Sequence, residues 1–211
     1  MPQQPSATED LAKVIAELET QCRETPKSIT AHLHLGMVYQ KAGRLDDAIR
    51  EFECAVAIDE HSAQSHVNLG GCYFEKGWLD KALAANQKAL VYTPGLAQAH
   101  ANIGLIWQRQ GDAAKAVDAY IKATQHDPKL TTAWINLTSA HVMAGNFDQA
   151  VSAARKAVEL DPDVAMAHNN LAVASYYAKD YAQANASVDK AKKLGYPVDA
   201  RFLDALAQAQ K

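Results

Sequence analysis

A repeat of 34 residues constrains this chain more than any other feature of its sequence. Identical residues recur at that interval in several independent columns. The columns are glycine (Gly43, Gly77, Gly111, Gly145 and, separately, Gly36, Gly70, Gly104), alanine (Ala48, Ala82, Ala116, Ala150, Ala184), asparagine (Asn68, Asn102, Asn136, Asn170) and proline (Pro94, Pro128, Pro162). Because self-similarity at a period of this length is typical of stacked repeats, the chain is predicted to be a linear array of one structural unit.

Each unit is predicted to be a pair of α-helices joined by a tight turn. Framed from residue 29, the five units are 29–62, 63–96, 97–130, 131–164 and 165–198. In the first four units the fifteenth residue is glycine, which readily takes the left-handed conformation that ends a helix. A proline near the end of most units stops the second helix, since proline also disfavours helix at the residue before it. We name the first helix of each unit helix A and the second helix B.

The segments that flank the array are predicted to cover its two ends. Residues 9–28 are predicted to form a lone helix in the register of a helix B, and residues 199–211 an amphipathic capping helix. Stacked repeats need such ends, because an open terminal repeat would leave a core face in water. Residues 1–8 are predicted to be a disordered tail. The predicted fold class is therefore all-α.

The residue types in the repeat columns carry a family resemblance. The first unit contains Leu35-Gly36-x2-Tyr39 followed by Ala48-x3-Phe52 and Ala55, and the fourth contains Trp134-x2-Leu137 with Ala157 and Pro162. Over about residues 29–198 this pattern resembles that of the tetratricopeptide repeat (TPR) family. The resemblance implies a right-handed α-solenoid of five TPR units, in which each repeat buries its apolar face on its neighbours.

Five positions depart from the family pattern. Glu60 replaces the terminal proline of the first unit, and Lys179 replaces the turn glycine of the fifth. Thr138 and Ala172 replace the glycine of helix A, and Asn86 occupies an aromatic position of helix B. These departures are expected to change local geometry and to leave the fold intact.

Charge and composition exclude several function classes. Lys and Arg number 21 against 24 Asp and Glu, a formal net charge of −3, so nucleic acid is not expected as a partner. No run of about 18 apolar residues occurs, so no membrane insertion is expected, and the N-terminus lacks the segments of a signal peptide. Cys22, Cys54 and Cys72 form no Cys-x-x-Cys pair. Neither a disulfide framework nor a structural zinc knot is therefore predicted, and a reducing, cytoplasmic location is expected.

No motif for catalysis or cofactor binding occurs in the sequence. G-x-S-x-G, H-E-x-x-H and phosphate-loop patterns are all missing, so the protein is predicted not to be an enzyme and to bind no cofactor. His32, His66, His100 and His168 share the fourth position of helix A. Equivalent residues of neighbouring repeats lie on the order of 10 Å apart, whereas the ligands of one zinc ion lie about 2 Å from the metal. We interpret these histidines as packing residues and predict no metal site.

The face of helix A that points away from the core is predicted to be a binding groove. It carries three charged residues, Lys41, Glu75 and Arg109, and thirteen apolar residues. The apolar residues are Leu33, Met37, Val67, Phe74, Ala101, Leu105, Ile135, Val142, Met143, Met166, Val173, Tyr177 and Ala178. A charge-poor face rich in Met, Phe and Leu is typical of a partner surface. The alternative is that some of these residues, above all those at the fifth position of helix A, are half-covered by the next helix A.

The asparagine column runs along the same predicted groove. A primary amide carries both donors and an acceptor, so each of Asn68, Asn102, Asn136 and Asn170 is expected to bridge the backbone of an extended peptide. Rungs about 10 Å apart match one contact per three residues at about 3.3 Å each. The alternative is that asparagine is merely frequent at this position in the family.

The predicted function is a non-catalytic protein–protein interaction scaffold or assembly factor. Its predicted ligand is an extended or amphipathic peptide segment with spaced apolar anchors, bound in the concave TPR groove. The two alternatives are a self-associating scaffold, built through the groove or an edge that carries Trp78, and a recruiting module of an enzyme complex. Binding to the C-terminal carboxylate of a chaperone is not expected. Family members that bind it resemble one another in having Lys and Asn at the positions of Leu33 and Met37.

Overall fold

The computed structural model describes residues 7–210, which form twelve α-helices and no strand. The helices are α1 (Ala7–Glu24), α2 (Ile29–Lys41), α3 (Leu45–Ile58), α4 (Ala63–Glu75), α5 (Leu79–Tyr92), α6 (Ala97–Arg109), α7 (Ala113–His126), α8 (Thr131–Met143), α9 (Phe147–Leu160), α10 (Ala165–Tyr177), α11 (Tyr181–Lys193) and α12 (Ala200–Gln208). From α2 onward, each helix A and each helix B begins 34 residues after its predecessor. The predicted all-α solenoid class is confirmed.

Each of the five segments framed from residue 29 contains one helix pair. The segment 29–62 contains α2 and α3, and the next four segments contain α4 to α11 in the same way. Helix α1 lies mainly in the predicted N-terminal segment 9–28, and α12 in the predicted C-terminal segment 199–211. The predicted disordered tail, residues 1–8, falls outside the described residues except for its last two, which begin α1.

The chain divides into two compact units, one extending to Asn102 and the other starting at Ile103. In the first unit α2 packs on α3, α4 packs on α5, α3 packs on α4, and α1 packs on α2. In the second unit α8 pairs with α9 and α10 pairs with α11, while α12 contacts α11. Each unit is thus a stack of antiparallel helix hairpins with a helix at its outer end.

The turn between helix A and helix B repeats in every hairpin. Gly43 and Gly145 adopt φ of +74° and +76°, and Lys179 takes the same left-handed conformation at +64°. After the glycine, the next N–H donates to a carbonyl five residues earlier, as from Arg44 to Tyr39 at 2.9 Å. This is the Schellman arrangement, which satisfies the last carbonyls of helix A.

Close approach of the two helices explains the glycine within helix A. A Cβ built on Gly36 would lie 2.5 Å from a ring carbon of Phe52, whose side chain is fully buried. In the fifth repeat, Ala172 and Val188 occupy the positions of Gly36 and Phe52, and both belong to one core cluster. A small residue on one helix facing a larger one on the other keeps the packing dense.

Candidate peptide-binding face

The fourth residue of each helix A anchors that helix to the loop before it. His32, His66, His100 and His168 approach the backbone oxygens of Pro26, Glu60, Pro94 and Pro162 with Nε2 at 2.8–3.2 Å, and Trp134 donates from Nε1 to the Pro128 oxygen at 2.9 Å. A carbonyl oxygen only accepts, so Nε2 of each histidine carries the proton. Histidine thus performs the task of the family's tryptophan, in agreement with the predicted packing role.

The buried thiol of Cys72 has no catalytic character. Its side chain is fully buried among packing residues of α4. Burial raises the pKa of Cys72 to about 12, so the group stays a protonated thiol and behaves as a small apolar residue.

Methionine marks the face of helix A that was predicted to bind a partner. Met37, Met143 and Met166 are 44%, 50% and 49% exposed, although methionine is usually a core residue. Tyr177 on the same face is 48% exposed and stacks on Phe147, with ring centroids 5.2 Å apart. In the second unit, Met143, Met166 and Tyr177 are therefore exposed apolar side chains on this face, and Met37 is one in the first unit.

The structure corrects part of the predicted face. Ile135 is buried with Ala157 and Ala167, so it belongs to the core and cannot contact a ligand. Val67 and Ala101, at the same position of their repeats, are also buried. In these three repeats the fifth position of helix A packs inside the stack, whereas Leu33 at the same position of the first repeat is half-buried.

The other predicted site residues keep at least partial exposure. Leu33, Phe74 and Leu105 are half-buried, and Leu33 packs against the core of the first unit. Arg109 is exposed at the end of α6. Glu75 on α4 accepts a hydrogen bond from Gln40 on α2 at 2.5 Å, which ties two A helices together on this face.

An apolar pocket of about 240 Å³ opens on this face in the second unit. It is lined by Gln108, Thr138, Ser139, Val142, Met143, Asn170 and Val173. Val142, Met143 and Val173 supply apolar side chains to its lining, and Asn170 supplies an amide. The pocket therefore combines an apolar floor with a hydrogen-bonding side chain, as small binding sites usually do.

The two asparagines of the second unit are not equivalent. Asn170 donates both amide hydrogens, to the Ile135 carbonyl at 3.2 Å and to Ser139 Oγ at 3.1 Å. Its Oδ1 is left to accept from a ligand N–H. Asn136 is half-buried, and its side chain forms no hydrogen bond within residues 11–210. Its whole amide is therefore available to a peptide backbone.

In the first unit the asparagine side chains form hydrogen bonds within the protein. Asn102 donates from Nδ2 to Oδ1 of the fully buried Asn86 at 3.1 Å, and it accepts from Gln98 at 2.9 Å. Asn68 accepts from Gln64 at 2.9 Å, while its buried Nδ2 lacks a partner within the described chain. The column is consequently a mixture of packing amides and open amides, rather than four equal rungs.

Sequence reasoning did not select three residues that line the pocket. Gln108 and Ser139 are uncharged polar residues that were not named as site residues, and Thr138 was named only as a replacement of the helix A glycine. Their positions in the repeat could have identified Gln108 and Ser139. They occupy the twelfth and ninth positions of helix A, which face away from the core. Thr138 reaches the pocket because it stands where other repeats have glycine.

Trp78 lies at the turn before α5 and is 41% exposed. Its ring centroid lies 5.8 Å from that of Tyr73, and the ammonium groups of Lys76 and Lys81 lie 5.2 and 4.8 Å from it. The ring thus packs against Tyr73, close to the end of the preceding helix. Its remaining exposed area leaves the edge contact as a prediction.

Comparison with known families identifies the class of protein. Models of the tetratricopeptide repeat family match residues 27–91, 97–130 and 136–195. The matches extend from the first helix pair to the last, and the chain belongs to the tetratricopeptide repeat family. A comparison with proteins of curated function finds no match.

Solved structures share the fold. The APC/C hetero-tetramer Cut9–Hcn1 matches 97% of this chain and 40% of that chain at 16% identity, with a TM-score of 0.82. YrrB, described as a TPR protein with an unusual peptide-binding site, matches 92% of this chain and 98% of that chain at 19% identity and a TM-score of 0.66. MamA matches 72% and 90% at 27% identity and a TM-score of 0.62. The chain therefore spans less than half the length of the first of these proteins.

Within residues 7–210, no helix combines the length and the apolar character that crossing a bilayer requires.

Proposed function

We propose that this protein is a non-catalytic, cytoplasmic scaffold that binds a peptide segment of a partner protein on the outward face of its A helices. The observation that carries the proposal is the exposure of Met143 and Met166 on that face of the A helices in the second unit. Met37 is exposed at a groove position of α2 in the first unit. Methionine is flexible and polarizable, so a Met-rich surface adapts to apolar side chains of different shapes.

The pocket of the second unit supplies a mode of recognition. An apolar anchor residue of the peptide enters between Val142, Met143 and Val173. Asn170 Oδ1 accepts from a peptide N–H at the rim, and the Asn136 amide contacts the backbone further along the face. Binding to a preformed surface confines the ordering cost to the peptide.

Relatives of the same fold support a role in protein interaction. YrrB is described as having a peptide-binding site, and Cut9–Hcn1 is a hetero-tetramer. At 19% and 16% identity these likenesses concern the fold. The choice of an apolar anchor therefore rests on the pocket of this chain.

The test is the selection of peptides from a displayed random library, followed by affinity measurement with two matched variants. Met143→Glu places a charge at the pocket, and Val91→Glu places one on α5 at a side chain that is 70% exposed. Met143→Glu is expected to weaken binding by about 10-fold or more, or about 1.4 kcal/mol, and Val91→Glu to leave it unchanged. Equal binding by both variants would contradict the proposal.

Self-association is the competing use of the same face. Light scattering at several concentrations tests it with the same pair of variants. A wild-type protein that stays monomeric supports a foreign partner. An oligomer that Met143→Glu dissociates, while Val91→Glu does not, would show that the face binds a second copy and would replace the peptide proposal.

A further inference from the structure

Three helices of the first unit bring a thiol, an imidazole and a carboxylate together. The ligand atoms of Cys22 on α1, His32 on α2 and Glu51 on α3 all lie within 4.8 Å of one another, and His32 Nδ1 lies 2.7 Å from Glu51 Oε2. Cys22 and His32 are buried, and Glu51 is half-buried. The donors of one tetrahedral zinc ion lie about 3–4 Å apart, since their bonds to the metal are about 2.0–2.3 Å long.

His32 is oriented as a metal ligand would be. Its Nε2 faces the Pro26 carbonyl oxygen at 3.2 Å, which holds the ring and directs Nδ1 toward the other two side chains. Metal-bound histidines usually donate their second ring N–H to such a backbone oxygen or to a carboxylate. The bond that all repeats use for packing therefore doubles, in the first repeat, as the outer support of a ligand.

The equivalent positions of the other repeats separate this cluster from the general architecture. At 34-residue steps from Cys22 the chain has Val56, Leu90, Thr124 and Val158, and at the same steps from Glu51 it has Ala85, Ala119, Ala153 and Ser187. The histidine is retained in three of those repeats. The packing role of the histidine thus needs neither a thiol nor a carboxylate beside it.

A third departure occurs at the same place. Cys54 stands where the other four repeats have Lys88, Lys122, Lys156 and Lys190. It lies on α3, three residues after Glu51. The column's lysine, which would repel a cation, is therefore replaced in the one repeat that carries the cluster.

We propose that Cys22, His32 and Glu51 bind a zinc ion that fastens the N-terminal helix α1 to the first repeat. Thiolate and imidazole donors disfavour magnesium and calcium, which take oxygen ligands, and suit zinc. Binding releases to solvent the thiol proton of Cys22 and the proton that lies between His32 Nδ1 and Glu51 Oε2. Sγ, Nδ1 and a carboxylate oxygen then form three bonds to the metal. A pocket of about 480 Å³ lined by these residues opens to solvent and leaves the fourth position to water.

The role of the ion follows from the place of α1 in the stack. Within residues 7–210, helix α1 packs on α2 and is not part of a helix hairpin. Terminal elements of repeat arrays are the first to fray, because they have a neighbour on one side only. A metal bond from α1 to both helices of the first repeat holds that end closed.

The test is a titration of the full chain with Co²⁺ and then Zn²⁺, in a reducing buffer and in the Cys54→Ser background. Thiolate-bound cobalt gives a sulfur-to-metal charge-transfer band, which zinc abolishes on displacing it. The chain that retains Cys22, His32 and Glu51 is expected to show this band and to bind one cobalt ion per chain. Cys22→Ser is expected to remove it, and Glu51→Gln and His32→Gln to weaken cobalt binding by about 100-fold or more, beyond the loss of an outer-shell partner.

The matched control is His66→Gln. It removes the same carbonyl contact from the next repeat, without touching the cluster. Retention of the band in His66→Gln and its loss in His32→Gln supports a metal site. No band in the parent, a band that survives Cys22→Ser, or equal loss in the two histidine variants would overturn the proposal.

Discussion

At the scale of single residues, one position of the repeat can serve several purposes. The fourth residue of helix A always presents a ring N–H to a backbone oxygen, whether the ring is imidazole or indole. The sixth residue is always polar in this array, yet Asn102 supports a buried amide while Asn136 remains open. Identity within a column therefore does not guarantee identity of role.

The asparagine column gives a prediction that separates these roles. Asn102→Ala is expected to lower the free energy of unfolding by about 1–3 kcal/mol, because it leaves buried Asn86 Oδ1 without its donor. Asn136→Ala is expected to keep or slightly raise stability, since alanine is the better helix former, and to weaken binding of a selected peptide. Urea denaturation and peptide titration measure the two effects. A stability loss confined to Asn136→Ala would contradict the assignment.

Two glycines of the A helices predict opposite responses to the same substitution. Gly36→Ala is expected to destabilise by about 1–3 kcal/mol, because the new Cβ would overlap the rigid ring of Phe52. Gly71→Ala is expected to stabilise by up to about 1 kcal/mol, as alanine suits a helix interior and its Cβ would meet nothing closer than 3.7 Å. Urea midpoints test both, and a shift of equal sign would contradict the packing argument.

At the scale of elements, the hairpin turn sets the geometry of every repeat. Its left-handed residue lets the chain reverse while the following N–H groups cap helix A. Four repeats use glycine there, and the fifth uses Lys179 at φ +64°. A side chain with a Cβ is strained in this conformation, so the turn of the fifth repeat is intrinsically the weakest.

Replacing the left-handed residue Lys179 tests whether this turn is strained. Lys179→Gly is expected to raise the free energy of unfolding by about 0.5–1 kcal/mol, the relief of strain being partly offset by the greater freedom of glycine in the unfolded chain. Gly111→Lys, at φ +81°, is the reverse substitution and is expected to lower it. Thermal unfolding monitored by circular dichroism measures both changes. A stabilised Gly111→Lys protein would refute the strain argument.

At the scale of the whole molecule, the chain consists of two compact units built from the same hairpin. The second unit ends in α12, whose Leu206 is buried with Ala172, Ala184 and Val188. Leu206 therefore covers a face that a sixth repeat would otherwise cover. Because contacts in repeat arrays are between neighbours, loss of this cover is expected to act locally.

Hydrogen exchange tests the local effect of the cap. Leu206→Ala is expected to destabilise its surroundings by about 2–5 kcal/mol and to speed amide exchange in α10, α11 and α12. Amides of α2 and α3 are expected to keep their exchange rates. Gln208→Ala, an exposed change on the same helix, serves as the control. Uniform acceleration along the chain would show that the array unfolds as one cooperative body.

Much of the fold was predictable from the sequence, because its signals are local. Helix starts at residues 29, 45, 63 and onward follow from apolar periodicity, turn glycines and terminal prolines. The outward face was predictable for Met37 and Met143, whose positions point away from the partner helix. Ile135 was misplaced, since a helical wheel shows direction and not what the adjacent repeat covers.

By itself, the sequence determined the repeat period, the hairpin unit and the family, since each depends on residues close together along the chain. Only the tertiary structure decided which asparagines remain open, that a pocket forms around Val142, Met143 and Val173, and that Cys22 meets His32 and Glu51. Those outcomes depend on side chains contributed by different helices. The distances between those side chains are set by how the helices pack on one another. The spacing of residues within one segment does not encode that packing.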